Sequence, residues 1–146
     1  LALACDLIVA ARTAKFGLPE VKRGLAATAG GLLRLPKRLP YHVAMECILT
    51  GDMFGAERAQ AHGLVNRLVE PGQALDAALE LAQTVAANGP LALIASKRVA
   101  QESADWPQAE MFDRQAVITA PVFASQDARE GATAFAEKRP PVWQGV

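Results

Sequence analysis

The stretch Ala14-Lys15-Phe16-Gly17-Leu18-Pro19-Glu20-Val21, followed by Gly24 and by Ala26-Ala27-Thr28-Ala29-Gly30-Gly31, decides how the chain reads. Pro19 drives Leu18 out of helical space, so Phe16–Pro19 is expected to be extended or irregular. Glu20 is then a single carboxylate set among apolar residues and just ahead of a run of small ones. Desolvation penalises the charged form of a carboxylate held in such surroundings, and a group of that kind can exchange protons near neutral pH. The alternative is a surface glutamate paired with Lys22 or Arg23. The glycines also read two ways. They allow close packing before a helix, or they leave backbone N–H groups free to face a ligand at that helix's N-terminus.

Upstream, Asp6-Leu7-Ile8-Val9-Ala10-Ala11 has the β-branched character of a buried strand, and Arg12–Lys15 reads as a turn. The opening Leu1-Ala2-Leu3-Ala4-Cys5 has no initiator Met and no basic leader, which suggests a chain that starts inside an element with something upstream of it. Downstream, Pro40 precedes a helix over 41–49, and Thr50-Gly51-Asp52 stops it. A short helix over 56–62 ends at Gly63 as C-cap, and 64–69 alternates as a strand does. Pro71-Gly72 is the expected boundary between a first region, 1–70, and a second, 71–146. In the second, Leu75, Ala78, Leu79, Ala82 and Val85 recur at helical spacing up to Asn88-Gly89-Pro90. Further helices are expected over 91–102, 106–117 and 127–138. The last is capped by Ser125 or Asp127 and ended by Pro140-Pro141.

Composition sets outer limits. Of 146 residues, 51% are apolar and 21% charged, which suits a folded core and excludes disorder as the main state. Fifteen basic and fifteen acidic side chains cancel, so bulk attraction to nucleic acid or anionic lipid is not expected. No apolar run approaches the ~20 residues a membrane helix needs. Cys5 and Cys47 form neither a CxxC nor a disulfide framework; a reducing cytoplasm fits, with both thiols as small apolar fillers. The charge is uneven, however. Residues 12–38 carry Arg12, Lys15, Lys22, Arg23, Arg34, Lys37 and Arg38 against Glu20 alone, which is either an anion-binding surface or a solvated face.

Several chemistries are missing. His42 and His62 have no partner at metal-ligand spacing, so no metal is expected. No GxSxG surrounds Ser96, Ser103 or Ser125, and Gly30-Gly31 is not followed by the Lys-Ser/Thr of a P-loop. Aromatic residues, at 5%, are too few for base-stacking platforms. Asp6, Asp52 and Asp127 fit turn, cap and cap.

Taken in order, Ala4-Cys5-Asp6-Leu7-Ile8-Val9-Ala10-Ala11, Ala14–Glu20, Gly24, Ala29-Gly30-Gly31 and Arg34-Leu35-Pro36 resemble the enoyl-CoA hydratase (crotonase) family. The resemblance continues through Leu49-Thr50-Gly51-Asp52, Ala56-Glu57-Arg58-Ala59 and Gly63-Leu64-Val65-Asn66. It closes with Asp127-Ala128-Arg129-Glu130-Gly131 and Ala134–Arg139, so it covers essentially the whole chain.

The resemblance implies an α/β fold: the C-terminal part of a crotonase-type spiral of ββα units, then a helical region that builds homotrimers or dimers of trimers. It implies acyl-CoA thioesters as substrates, with coenzyme A as part of the substrate and no separate cofactor. It implies that water adds across the 2,3 double bond between two carboxylates. Glu20 matches one of them; the other, in a Gly-Gly-x-x-Glu segment, would fall just before Leu1 together with an oxyanion donor. Thr28 stands where many hydratases have a glycine whose backbone N–H meets the water, a departure that a backbone donor survives unless positive φ is required. Phe135 and Lys138 match positions that approach the CoA adenine and phosphates from a neighbouring subunit; their alternatives are helix packing and a solvated helix-end cation. The alternative functions are an enoyl-CoA isomerase, which can run on one carboxylate, and a non-catalytic acyl-CoA-binding or assembly module.

Overall fold

The computed structural model describes residues 1–146. A 3₁₀ turn, Ala2–Ala4, leads to β1 (Val9–Ala11) and β2 (Lys15–Phe16). A second 3₁₀ turn, Pro19–Arg23, precedes α1 (Gly31–Arg38) and α2 (Tyr41–Thr50). Then come β3 (Phe54–Gly55), α3 (Ala56–Ala61), β4 (Arg67–Val69), α4 (Ala74–Ala86), α5 (Pro90–Glu102), α6 (Met111–Phe123) and α7 (Gln126–Glu137). The chain divides into two compact units, Leu1–Leu81 and Ala82–Val146. Pro71-Gly72 lies within the first of these. No helix is long and apolar enough to cross a membrane.

The first unit is α/β. β1 pairs in parallel with β4 in the register Val9↔Arg67, Ala10↔Leu68 and Ala11↔Val69. β2 pairs antiparallel with β3, Lys15↔Gly55 and Phe16↔Phe54. The expected strand over 6–11 is therefore shorter than its apolar run. Before Val9 the segment leading into β4 offers Asn66, which brackets Ile8 from two sides: its Oδ1 accepts from the Ile8 N–H at 2.8 Å, and its own N–H donates to the Ile8 carbonyl at 2.8 Å. Those groups do the work of a ladder without continuing it. Arg12, at the end of β1, reaches Glu57 at 3.2 Å and Glu70 at 3.0 Å, tying that end to α3 and to the residue after β4.

Packing of small residues brings these elements close. Ala44, Ala56 and Ala59 have no exposed surface, and Leu35, Leu39, Cys47, Leu64 and Val65 close the core around them. Phe16 and Phe54 stack across the β2–β3 pair with centroids 5.9 Å apart. Cys47 is the apolar filler expected; Cys5 is exposed, so that expectation fails for it.

In the second unit α5 and α6 pack on each other and α6 on α7. The helix expected from Trp106 begins at Met111 instead. Trp106 precedes Pro107, which excludes it from helical space, and it sits extended at φ −88°, ψ 143°. The same helix runs past Val117 to Phe123 and carries Pro121 within it. Ser125, not Asp127, caps α7: its Oγ accepts from the Ala128 N–H at 3.0 Å.

Candidate active site

A cavity of about 310 Å³ opens in the first unit. One wall is the segment leaving β2, Lys15 to Leu18. Pro19 then takes the first position of the 3₁₀ turn, where its fixed φ and missing N–H cost nothing, and places Glu20 on the cavity wall. The opposite wall is the start of α1, from Ala27, Ala29, Gly30 and Gly31 to Arg34 and Leu35. Met53 and Phe54 close the side, with Leu1 and Leu3 also on the lining.

The two main walls meet through glycine. A Cβ on Gly31 would lie 2.6 Å from a Leu18 methyl, so only a glycine lets the segment before Glu20 touch the helix. Gly30 is the N-cap of α1 at φ +89°, in the left-handed region, and no side chain caps the helix. The first N–H groups of an α-helix have no partner within it and carry the positive end of its dipole. Here the first two, those of Gly30 and Gly31, belong to residues of the cavity wall. Of the two readings of Gly30-Gly31, close packing and free donors, the structure supplies both.

Glu20 is half-buried, and its Oε2 is fully enclosed with no hydrogen-bond partner. An enclosed oxygen left without a donor costs about 1–3 kcal/mol, so its persistence calls for an explanation. The alternative pairing with Lys22 does not occur: the Lys22 ammonium sits on the Asp52 carboxylate. Asp52 is thus the partner of a lysine, while its N–H donates to the Thr50 hydroxyl at 3.1 Å. Of the seven basic side chains between 12 and 38, Arg12 and Lys22 are committed to carboxylates. Lys15 and Arg34 instead line the cavity with Glu20. Sequence reasoning noticed the basic stretch without separating these pairs. It missed Met53, whose sulfur lies 2.5 Å from where a Gly17 Cβ would be.

Thr28 lies exposed in the turn before α1, between the cavity-lining residues Ala27 and Ala29, and is not itself on the lining. Phe135 and Lys138 belong to the second unit, on the last turn of α7 and at its C-cap. Phe135 is 88% exposed, so it packs against no other helix of this chain. Lys138 has φ 56°, the one residue other than glycine with positive φ.

Known proteins share this fold. The chain is 61% identical to an enoyl-CoA hydratase of Mycobacterium tuberculosis H37Rv and superposes on its crystal structure with a TM-score of 0.97. The match covers 99% of this chain and 57% of that one. A probable enoyl-CoA hydratase/isomerase from Mycobacterium abscessus is 64% identical with a TM-score of 0.95, again over 99% and 57%. The carnitinyl-CoA dehydratase of Escherichia coli strain K12 is 45% identical over 99% of this chain and 57% of its own length. The chain thus spans little more than half the length of these relatives, and its fold is that part of the crotonase fold. The family profile described as enoyl-CoA hydratase/isomerase matches residues 1–146, and the chain belongs to that family.

Proposed function

We propose that the whole protein to which these residues belong is an enoyl-CoA hydratase, a hydro-lyase acting on 2-enoyl-CoA thioesters, with Glu20 as one of its carboxylates. The observation that carries this reading is the enclosed, unpartnered Oε2 of Glu20 in a cavity walled by the uncapped start of α1. Glu20 lines the cavity and no protein donor occupies its Oε2, so its carboxylate keeps the capacity to accept a proton from a water bound there. In hydration the water oxygen bonds to C3, one of its protons leaves through a carboxylate, and a proton is delivered to C2. The double-bond electrons pass transiently onto the thioester oxygen, where backbone donors stabilise them. The second carboxylate and the oxyanion donors belong, by the family resemblance, outside these 146 residues. Dehydration, as in the name of the carnitinyl-CoA relatives, is the same bond change reversed.

An isomerase is the second reading, favoured by the single acidic side chain on the cavity lining. It would move a proton from C2 to C4 through Glu20 alone. A non-catalytic acyl-CoA-binding module is the third. Incubating the full-length protein with 2-butenoyl-CoA and with 3-butenoyl-CoA decides among them. 3-Hydroxybutanoyl-CoA from the first substrate is the expected product. Conversion of only the second, to 2-butenoyl-CoA, would establish the isomerase, and turnover of neither the binding module.

The exposed Phe112, Val117 and Phe123 of α6 support self-association, which we read as a homotrimer or a dimer of trimers. The unpaired Cys5 and Cys47 favour a cytoplasmic setting. Phe135 and Lys138 are read as contacts to the nucleotide end of the thioester, and Thr28 as a backbone neighbour of the water.

A further inference from the structure

The chain beyond α7 has no regular secondary structure, yet it is tied down along its length. It turns at Lys138 and runs back beside α7. The Arg139 guanidinium grips Glu130 with two bonds, 2.6 and 2.9 Å, and its Nε reaches Glu137 at 2.7 Å. Glu130 also accepts the Val142 N–H at 2.8 Å. One turn earlier on the same face, Asp127 is 5% exposed and accepts the Gln144 N–H at 2.7 Å and the Gly145 N–H at 3.0 Å. The Val146 carbonyl accepts from the Gln126 and Asp127 N–H groups at the start of the helix. Between these contacts the Trp143 ring lies against Gly131 and Gly89, and its indole N–H donates to the Ala87 carbonyl at 2.8 Å.

The segment therefore clasps both ends of α7 and joins the helix to the turn between α4 and α5. Its grip bears on a particular place. Lys138 holds a left-handed conformation for which glycine is the default, and such strain persists only where the surroundings impose it. Part of that comes from the helix itself, since Lys138 caps α7 with its N–H on the Ala134 and Phe135 carbonyls; the rest is on the next residue, where the Arg139 N–H bonds the Ala134 carbonyl at 3.0 Å and the side chain forks onto Glu130. With the chain fixed there, the Lys138 side chain and the exposed Phe135 leave the helix end in set directions.

We propose that Arg139–Val146 is a positioning strap: the Arg139 fork on Glu130, anchored by Val142 on Glu130, by Gln144 and Gly145 on Asp127 and by Trp143 on Ala87, fixes the end of α7 so that Phe135 and Lys138 engage the nucleotide end of a CoA thioester. The inference rests on the acyl-CoA reading above and adds the residues that set its geometry.

The test compares two thioesters of the full-length protein, 2-butenoyl-CoA and 2-butenoyl-N-acetylcysteamine, which lacks the nucleotide. Glu130→Gln weakens the Arg139 fork while keeping an acceptor for Val142. It should raise KM for the CoA ester about tenfold, leave kcat within about twofold, and leave kcat/KM for the short ester unchanged. Arg139→Lys, which keeps the charge and loses the fork, is the second variant should the first fail to fold. Equal losses on both esters, or no loss on either, would overturn the strap. If wild-type protein turns over neither ester, the hydratase reading has failed, and calorimetric titration with CoA itself decides the strap separately. About tenfold weaker CoA binding by the variants sustains it; equal binding by variant and wild type, or none by either, overturns it.

Discussion

Lys22 is paired with Asp52, 30 residues further along the chain, and not with Glu20, two residues before it. The two charges differ by two positions in sequence, but one points to α2's far end and the other lines the cavity. Side chains on both sides of the Lys22–Asp52 pair are half or more exposed, at 50% and 69%. Exposed pairs of this kind contribute about 0–1 kcal/mol. Lys22→Met in the full-length protein should therefore lower stability by no more than about 1 kcal/mol and leave turnover unchanged. Turnover that falls as far as it does for a Glu20 substitution would mean that Lys22 acts on the cavity.

Gly30 sits at φ +89°, and a Cβ there would lie 2.0 Å from the Arg34 guanidinium. The arginine tip can move, but the backbone strain remains at about 1–2 kcal/mol. Gly30→Ala should lower the denaturation midpoint accordingly and reduce activity beyond that loss, because the start of α1 forms the cavity wall. A variant with wild-type stability and turnover would show that the left-handed cap is dispensable.

The core should respond in both directions. Leu35 is 3% exposed and shared between the core and the cavity, so Leu35→Ala should cost about 2–5 kcal/mol in denaturant unfolding. Ala59 has no exposed surface and belongs to the core, so Ala59→Leu should cost about 1–3 kcal/mol by overpacking. Losses below about 0.5 kcal/mol at both sites would mean that the interior is looser than its close-packed alanines indicate.

Acid should loosen the strap. The Arg139 fork, and then the Val142 N–H, hold the Glu130 carboxyl at about 2, below its ordinary value of 4.5. Other charges near it are Asp127 and Arg129 in the same groove and Glu137 on Arg139. A carboxyl whose folded value is depressed binds fewer protons folded than unfolded. Its contribution is complete above about 4.5 and is lost as pH falls from there towards about 2. In a Trp106→Phe background, Trp143 fluorescence should report release within that window, and Glu130→Gln should flatten the pH profile. An identical profile in both would place the titration elsewhere.

Legibility in the sequence followed the range of each interaction. Glu20 stood out locally, behind Phe16-Gly17-Leu18-Pro19 and ahead of the glycines, but those residues left a surface pairing with Lys22 or Arg23 equally open, and the family resemblance singled it out. Its freedom from Lys22 was not legible, because Asp52 competes from another helix's end. Asp127 read as a cap because an aspartate at a helix start usually is one. The residues that claim its carboxylate, Gln144 and Gly145, lie 17 and 18 positions away. The helix expected at 106–117 was displaced by two prolines with opposite effects. Pro107 delays its start through Trp106, whereas Pro121 is tolerated two residues before its end. The helices of the second half were legible from their period, and what their exposed apolar faces cover was not.

The isolated 146-residue polypeptide should not hydrate 2-butenoyl-CoA, since the proposed reading puts the partner carboxylate and the oxyanion donors outside it. Detectable hydration above the uncatalysed rate by the purified piece would refute that placement.

The central claim is that Glu20 moves the proton, and its most direct test is the hydration rate of 2-butenoyl-CoA by full-length Glu20→Gln against wild type, with CoA affinity measured on the same samples. Replacing a carboxylate by its isosteric amide removes the proton acceptor and keeps the shape. The predicted result is a fall in kcat of about 10²–10⁴-fold with CoA affinity within about twofold. Wild-type kcat in a folded, CoA-binding Glu20→Gln protein would contradict the account.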